Sequence, residues 1–189
     1  MGFIFYPASK RYVGLLDVDL LNSIPRSIKK TGVFVNEEGG IIVDTVKKYG
    51  LDAVQLHGDE SPEFCSSLRT ALDIRSAGAP VEIIKAFGID PDFDFSRLQP
   101  YEDHIAYFLF DTQTAGYGGS GSSFDWEILR SYKGSKPYFL SGGIGPENID
   151  RLMALEDPRL YAADLNSRFE IEPGMKDINR LRPVFKLIN

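Results

Sequence analysis

Seven short apolar runs, each followed by polar or glycine residues and then by a stretch of helical spacing, restrict this chain more than any other feature. Strands that alternate with helices predict a parallel sheet with crossover helices, since parallel neighbours cannot be joined by a tight turn. The runs are Gly2 to Tyr6, Thr31 to Val35, Ala53 to His57, Val81 to Phe87, Ala106 to Asp111, Tyr138 to Ser141 and Tyr161 to Leu165. Between them, Leu15 to Ile24 is a weak helical stretch. Glu38 to Tyr49 puts Ile41, Ile42, Thr45, Val46 and Tyr49 on one face and stops at Gly50. Ser61-Pro62 opens a helix whose inner face carries Phe64, Cys65, Leu68 and Leu72. A short helix is expected over Asp92 to Leu98. Asp125 caps another that begins at Trp126, Pro146 starts one through Ile149, Leu152 and Met153, and Ile178, Leu181, Phe185 and Ile188 line the last.

The chain has 189 residues and no linker or low-complexity tract, so a single domain over 1–189 is expected. A closed (β/α)₈ barrel needs eight units and about 200 residues or more. Seven are present, and the first is the one missing. The expected class is therefore α/β, a TIM (β/α)₈ barrel without its first strand and helix. A net charge of -6 argues against a nucleic-acid partner. No apolar run is long enough to span a membrane, and Met1-Gly2-Phe3 carries no basic leader, so a cytoplasmic protein is expected. The single cysteine, Cys65, excludes an internal disulfide, and its place on a helix face makes it a core filler. Two histidines and one cysteine give no zinc-site spacing, and no metal is expected.

In parallel β/α proteins the C-terminal ends of the strands carry the chemistry. Here those ends bring Arg11, Gln55, His57, Lys85, Asp111, Ser141 and Asp164. Asp111 closes Phe108-Leu109-Phe110 and precedes a loop rich in glycine, Gly116 to Gly121; it reads as a loop cap or as an acid. Lys85 among apolar neighbours points either into a site or to solvent. Gly142-Gly143 and Asn166-Ser167 follow the last two strands, where barrels commonly bind phosphate through backbone N–H groups. A tight turn is the other reading of the glycine pair.

Taken together and in order, several segments resemble the phosphoribosylanthranilate isomerase family. They are Gly2-Phe3-Ile4-Phe5 with Ser9-Lys10-Arg11-Tyr12-Val13, then Val54-Gln55-Leu56-His57-Gly58-Asp59-Glu60, and Asp111-Thr112. Gly118-Gly119-Ser120-Gly121 before Phe124-Asp125-Trp126, Leu140-Ser141-Gly142-Gly143-Ile144 and Glu172-Pro173-Gly174-Met175-Lys176-Asp177 complete the set, which covers nearly the whole chain. The resemblance implies a TIM barrel that catalyses an Amadori rearrangement of N-(5-phosphoribosyl)anthranilate in tryptophan biosynthesis, with no cofactor.

By that resemblance Asp111 is the general acid for the furanose ring oxygen, and partial burial would help it keep its proton. Arg11 pairs with the anthranilate carboxylate, as a bidentate guanidinium can. Gln55, His57 and Asp164 belong to the substrate site, and Gly142, Gly143, Asn166 and Ser167 hold the phosphate. Two departures stand out. The family's general base is a cysteine in a Lys-x-Cys-Gly motif ahead of the Gly-Phe-Ile-Phe strand, and no such motif is present. The last phosphate loop reads Asn166-Ser167-Arg168 where the family more often has two serines and a glycine. The expected partners are a small phosphosugar and a second copy that covers the open barrel edge. The rival readings are a phosphosugar-binding barrel without turnover and an enzyme like indole-3-glycerol-phosphate synthase, for which only Lys85 is available as an early-strand lysine.

Overall fold

The structure is a computed structural model, and it describes residues 1–75, 80–112 and 124–188. The glycine-rich loop Gly116 to Gly121 lies outside the described residues. Seven parallel strands follow one another across a sheet in chain order. They are β1 (Gly2–Ile4), β2 (Thr31–Phe34), β3 (Ala53–Leu56), β4 (Glu82–Ile89), β5 (Tyr107–Thr112), β6 (Tyr138–Leu140) and β7 (Leu160–Ala163). All seven expected strands are present, with ends shifted by a few residues. By contacts the chain divides into two compact units, Met1–Ala86 with Arg97–Tyr107, and Phe87–Ser96 with Phe108–Asn189.

In the first unit β1 pairs with β2 from Gly2 opposite Thr31, and β2 pairs with β3 from Thr31 opposite Ala53. The outer side of β1 is partly covered. Tyr12 bridges to Ile4, and the Val13 amide donates to the Ile4 carbonyl at 3.0 Å. Helix α1 (Val18–Asn22) is capped by Asp17, whose carboxylate accepts from the amides of Asp19 and Leu20. Helix α2 (Gly39–Tyr49) ends, as its sequence requires, on Gly50 at φ 57°. Its buried face is Ile42, Val43, Val46 and Tyr49, whereas Ile41 is about half exposed. Rotation by one position follows from the helical period, because Val43, Val46 and Ile42 share a stripe that Ile41 leaves. Helix α3 (Pro62–Arg75) is capped by Ser61, which accepts from the Phe64 amide at 3.2 Å, and it buries Cys65, Leu68 and Leu72.

The second unit is built round aromatic rings. Phe110 lies 4.9 Å from Tyr138, 5.4 Å from Tyr132 and 5.9 Å from Phe95, centroid to centroid. Such edge and offset contacts add to the burial of rings that each remove a large apolar area from water. Asp125 caps the 3-10 turn Trp126–Ser131. Helix α4 (Ile149–Met153) begins three residues after Pro146, with Met153 exposed rather than packed. A short antiparallel pair, β8 (Glu170–Glu172) and β9 (Met175–Lys176), turns at Pro173-Gly174 with Gly174 at φ 89°. Helix α5 (Ile178–Ile188) buries Val184 but exposes Ile178 and Phe185, contrary to the expected inner face. Among the described residues no helix is long and apolar enough to cross a membrane.

Candidate active site

In the first unit the strand-end groups come from β1, β3 and β4. Arg11 is half-buried in the turn after β1, its amide held by Ser9 Oγ at 3.1 Å. Gln55 on β3 is 8% exposed, and its Nε2 meets His57 Nδ1 at 2.8 Å. Side chains two apart on an extended chain share one face, so this pair is a direct product of the Gln-Leu-His order. The His57 amide donates to the Phe34 carbonyl at 2.8 Å, extending the β2–β3 pairing into the loop.

Beneath this loop lies a buried ion pair. Lys85 Nζ is 3.1 Å from Glu60 Oε2, and both side chains are 2% exposed. The same ammonium donates to the carbonyls of Gly58 at 2.7 Å and Ala86 at 3.0 Å. Glu60 in turn accepts from the amides of Asn36 at 2.9 Å and Gly58 at 3.0 Å. Asn36, at φ 50°, receives the Asp59 amide on Oδ1 at 2.7 Å. A Cβ on Gly58 would fall 2.3 Å from Asn36 Oδ1, so only glycine fits this close approach. Lys85 thus turns neither into a site nor to solvent; it neutralises Glu60 and pins the Gly58 peptide. Both residues lie in stretches singled out by sequence, but nothing in the spacing told that they would meet.

In the second unit Asp111 is the penultimate residue of β5 and is 6% exposed, and its Oδ1 accepts from the Thr112 amide at 2.8 Å. Gly142 packs on it. A Cβ there would lie 2.7 Å from Asp111 Oδ1 and 2.2 Å from Thr112 Oγ1, and its φ is 88°. Gly143 is also left-handed, at φ 61°, and its carbonyl accepts from Asn148 Nδ2 at 2.8 Å. Ser141 Oγ lies 3.3 Å from Asp164 Oδ2, and the Asp164 amide pairs with the Leu140 carbonyl at 2.8 Å.

The loop after β7 is held by Lys176, which the sequence places in the closing motif without giving it a role. Its Nζ donates to Asn166 Oδ1 at 2.7 Å, to the Leu165 carbonyl at 2.9 Å and to Glu170 Oε1 at 3.1 Å. Asn166 therefore spends its side-chain oxygen on a lysine. Ser167 opens a single 3-10 turn and is half-buried. Arg168 is ion-paired with Glu147 on the loop after β6. The structure thus brings Gln55 to His57, Asp111 to Gly142, and Ser141 to Asp164. Among the described residues there is no cluster of His, Cys, Asp and Glu fit for a metal. Cys65 is fully buried and burial pushes its thiol up to about 11, with Glu60 adding to the rise and Lys85 opposing it.

A family model, that of N-(5'-phosphoribosyl)anthranilate isomerase, matches residues 1–187. The chain belongs to this family. The isomerase of Parabacteroides distasonis is 46% identical over 184 residues, covering 96% of this chain and 80% of that protein. The crystal structure of the isomerase of Thermotoga maritima superposes with a TM-score of 0.80 at 35% identity, over 98% of this chain and 85% of that one. A structure of the isomerase in complex with reduced 1-(O-carboxyphenylamino)-1-deoxyribulose 5-phosphate gives 0.77 at 32% identity, over 98% and 84% of the two chains. The isomerase fold accounts for seven parallel strands in chain order: the class is the TIM-type α/β barrel, present here as seven βα units.

Proposed function

We propose that the chain acts on N-(5-phosphoribosyl)anthranilate, as a phosphoribosylanthranilate isomerase of tryptophan biosynthesis, with Asp111 as its general acid. The observation that carries the reading is Asp111 itself: an acid at the C-terminal end of β5, 6% exposed as a residue, packed against Gly142, where a Cβ would collide with it. In that role Asp111 gives a proton to the furanose oxygen as the C1′–O bond breaks, leaving a Schiff base. A base then takes the C2′ proton, and the resulting enolamine tautomerises to the ketone. Arg11 pairs with the anthranilate carboxylate, while Gln55, His57 and Asp164 bind the sugar portion. The amides of Gly142, Gly143 and Ser167 receive the phosphate. Asn166 supports that loop through Lys176. A single cysteine, buried and unpaired by disulfide, suits the reducing cytoplasm as the place of work.

The base is where these 189 residues fall short. Their one thiol is on α3, fully buried and held protonated. Loss of a positioned base costs about 10²–10⁴-fold in rate, so this polypeptide is expected to bind the phosphosugar yet turn it over slowly. Loss of phosphoribosylanthranilate fluorescence tests the reading with three polypeptides: these residues alone, the same with a family-type strand and helix ahead of Met1, and that extension with its cysteine changed to alanine. Only the second should reach an enzyme-like rate. Full activity in the first would overturn the base assignment, and none in the second would overturn the function.

A homodimer is the proposed assembly. It would cover the outer strands of the sheet, β1 and β7, and Ile178 and Phe185 on α5, 63% and 52% exposed, add apolar surface for a second copy to bury.

A further inference from the structure

The contact between Gln55 and His57 fixes where a proton sits. The amide nitrogen of a glutamine carries two donors and accepts nothing. It meets His57 Nδ1 at 2.8 Å, so Nδ1 must be the acceptor and the neutral ring must carry its proton on Nε2. We infer that Gln55 is a positioning residue that holds His57 as the Nε2–H tautomer, a neutral hydrogen-bond donor toward an oxygen of the phosphosugar substrate. The substrate half of this statement rests on the function proposed above; the tautomer does not.

The surroundings keep the ring in place. The His57 amide is tied to Phe34, and the next peptide, Gly58, is gripped on its N–H by Glu60 and on its C=O by Lys85. Gln55 is 8% exposed, so water competes little for its amide protons. A second consequence follows for the chemistry. Nδ1 has its lone pair committed and Nε2 already bears hydrogen, so His57 does not stand in for the absent thiol as the acceptor of the C2′ proton.

Long-range proton–nitrogen correlation spectra of the ¹⁵N-labelled chain, at about pH 8.5 and so above the ordinary histidine range, read the tautomer directly. The chain has two histidines, and H104N leaves His57 alone in the spectrum. The expected pattern is a protonated Nε2 and an unprotonated Nδ1. In Q55E, whose carboxylate only accepts, the pattern should reverse. A wild-type ring protonated on Nδ1, as it would be with the glutamine amide turned about and its Oε1 facing the ring, overturns the inference. So does an unchanged tautomer in a folded Q55E. Should Q55E fail to fold, the wild-type spectrum decides. Added reduced 1-(O-carboxyphenylamino)-1-deoxyribulose 5-phosphate should shift the Nε2 resonance. Binding without that shift removes the donor role and leaves the tautomer standing, and no binding at all overturns the proposed function instead.

Discussion

Gly142 carries two separate demands, a left-handed backbone at φ 88° and the absence of a Cβ beside Asp111 and Thr112. Gly14 carries only the first: its φ is 59°, and nothing lies within 4 Å of the Cβ it lacks. Comparing the two alanine variants therefore separates backbone strain from collision. G14A should cost about 1–2 kcal/mol. G142A should exceed it by about 1–3 kcal/mol, the scale of forced overpacking, and should disturb Asp111 as well. Urea unfolding of both variants checks the order. At Cys65 the expectation concerns reactivity. A thiol pushed up to about 11 and fully buried is protonated at neutral pH, so a disulfide reagent at pH 8 should modify it only as fast as the protein opens. Labelling within the mixing time in the folded state would contradict the assignment of Cys65 to the core.

At the scale of elements, β6 and β7 are tied at their N-terminal ends by one polar network. Asp157 takes the Arg159 side chain on both oxygens, Nε at 2.9 Å and Nη2 at 2.8 Å, and the Tyr138 hydroxyl at 3.1 Å. Arg159 Nη1 also reaches the carbonyls of Tyr132 at 2.7 Å and Gly134 at 2.9 Å. The hydrogen bond from Arg159 chiefly holds the Asp157 carboxyl down to about 2, below its ordinary 3.8. A depressed acid lends stability above its unfolded pKa and loses it as pH falls through the folded one. The contribution, about 2 kcal/mol, should be whole above about pH 5 and gone below about pH 2. In D157N that part of the acid dependence should vanish, seen as a gap in unfolding free energy from the unaltered chain that closes on acidification. The elements themselves were largely legible. Strand runs are short, apolar and bounded by polar residues, and glycine or proline marks most helix ends. The β8–β9 turn was missed although Pro173-Gly174 is a standard turn signal. Lys85 was ambiguous because its partner, Glu60, is 25 positions away in sequence, and local pattern holds no information about such a meeting. Gln55 with His57 was readable as one face of a strand, but not the direction of the proton between them.

For the whole molecule, the expectation of self-association comes from the outer edges of β1 and β7, and exposed Ile178 and Phe185 on α5, with Leu187 and Ile171 also largely open, add apolar surface to it. Light scattering at micromolar concentration should give twice the monomer mass, and F185E should lower it; a monomer throughout would remove the dimer. A different kind of consequence follows from the carboxylate of Glu60. It gathers groups that are made at different times: the amides of Asn36 and Gly58 come early, while the ammonium of Lys85 comes with β4. A chain grows from its N-terminus, and an ionised acid cannot be buried without its counter-charge except at a cost of several kcal/mol. On a ribosome, β1, β2 and β3 can associate before β4 exists, but the turn after β3 cannot settle. The order of synthesis thus makes β4 the element that lets the turn after β3 settle, and a chain paused before Lys85 waits with that turn still open.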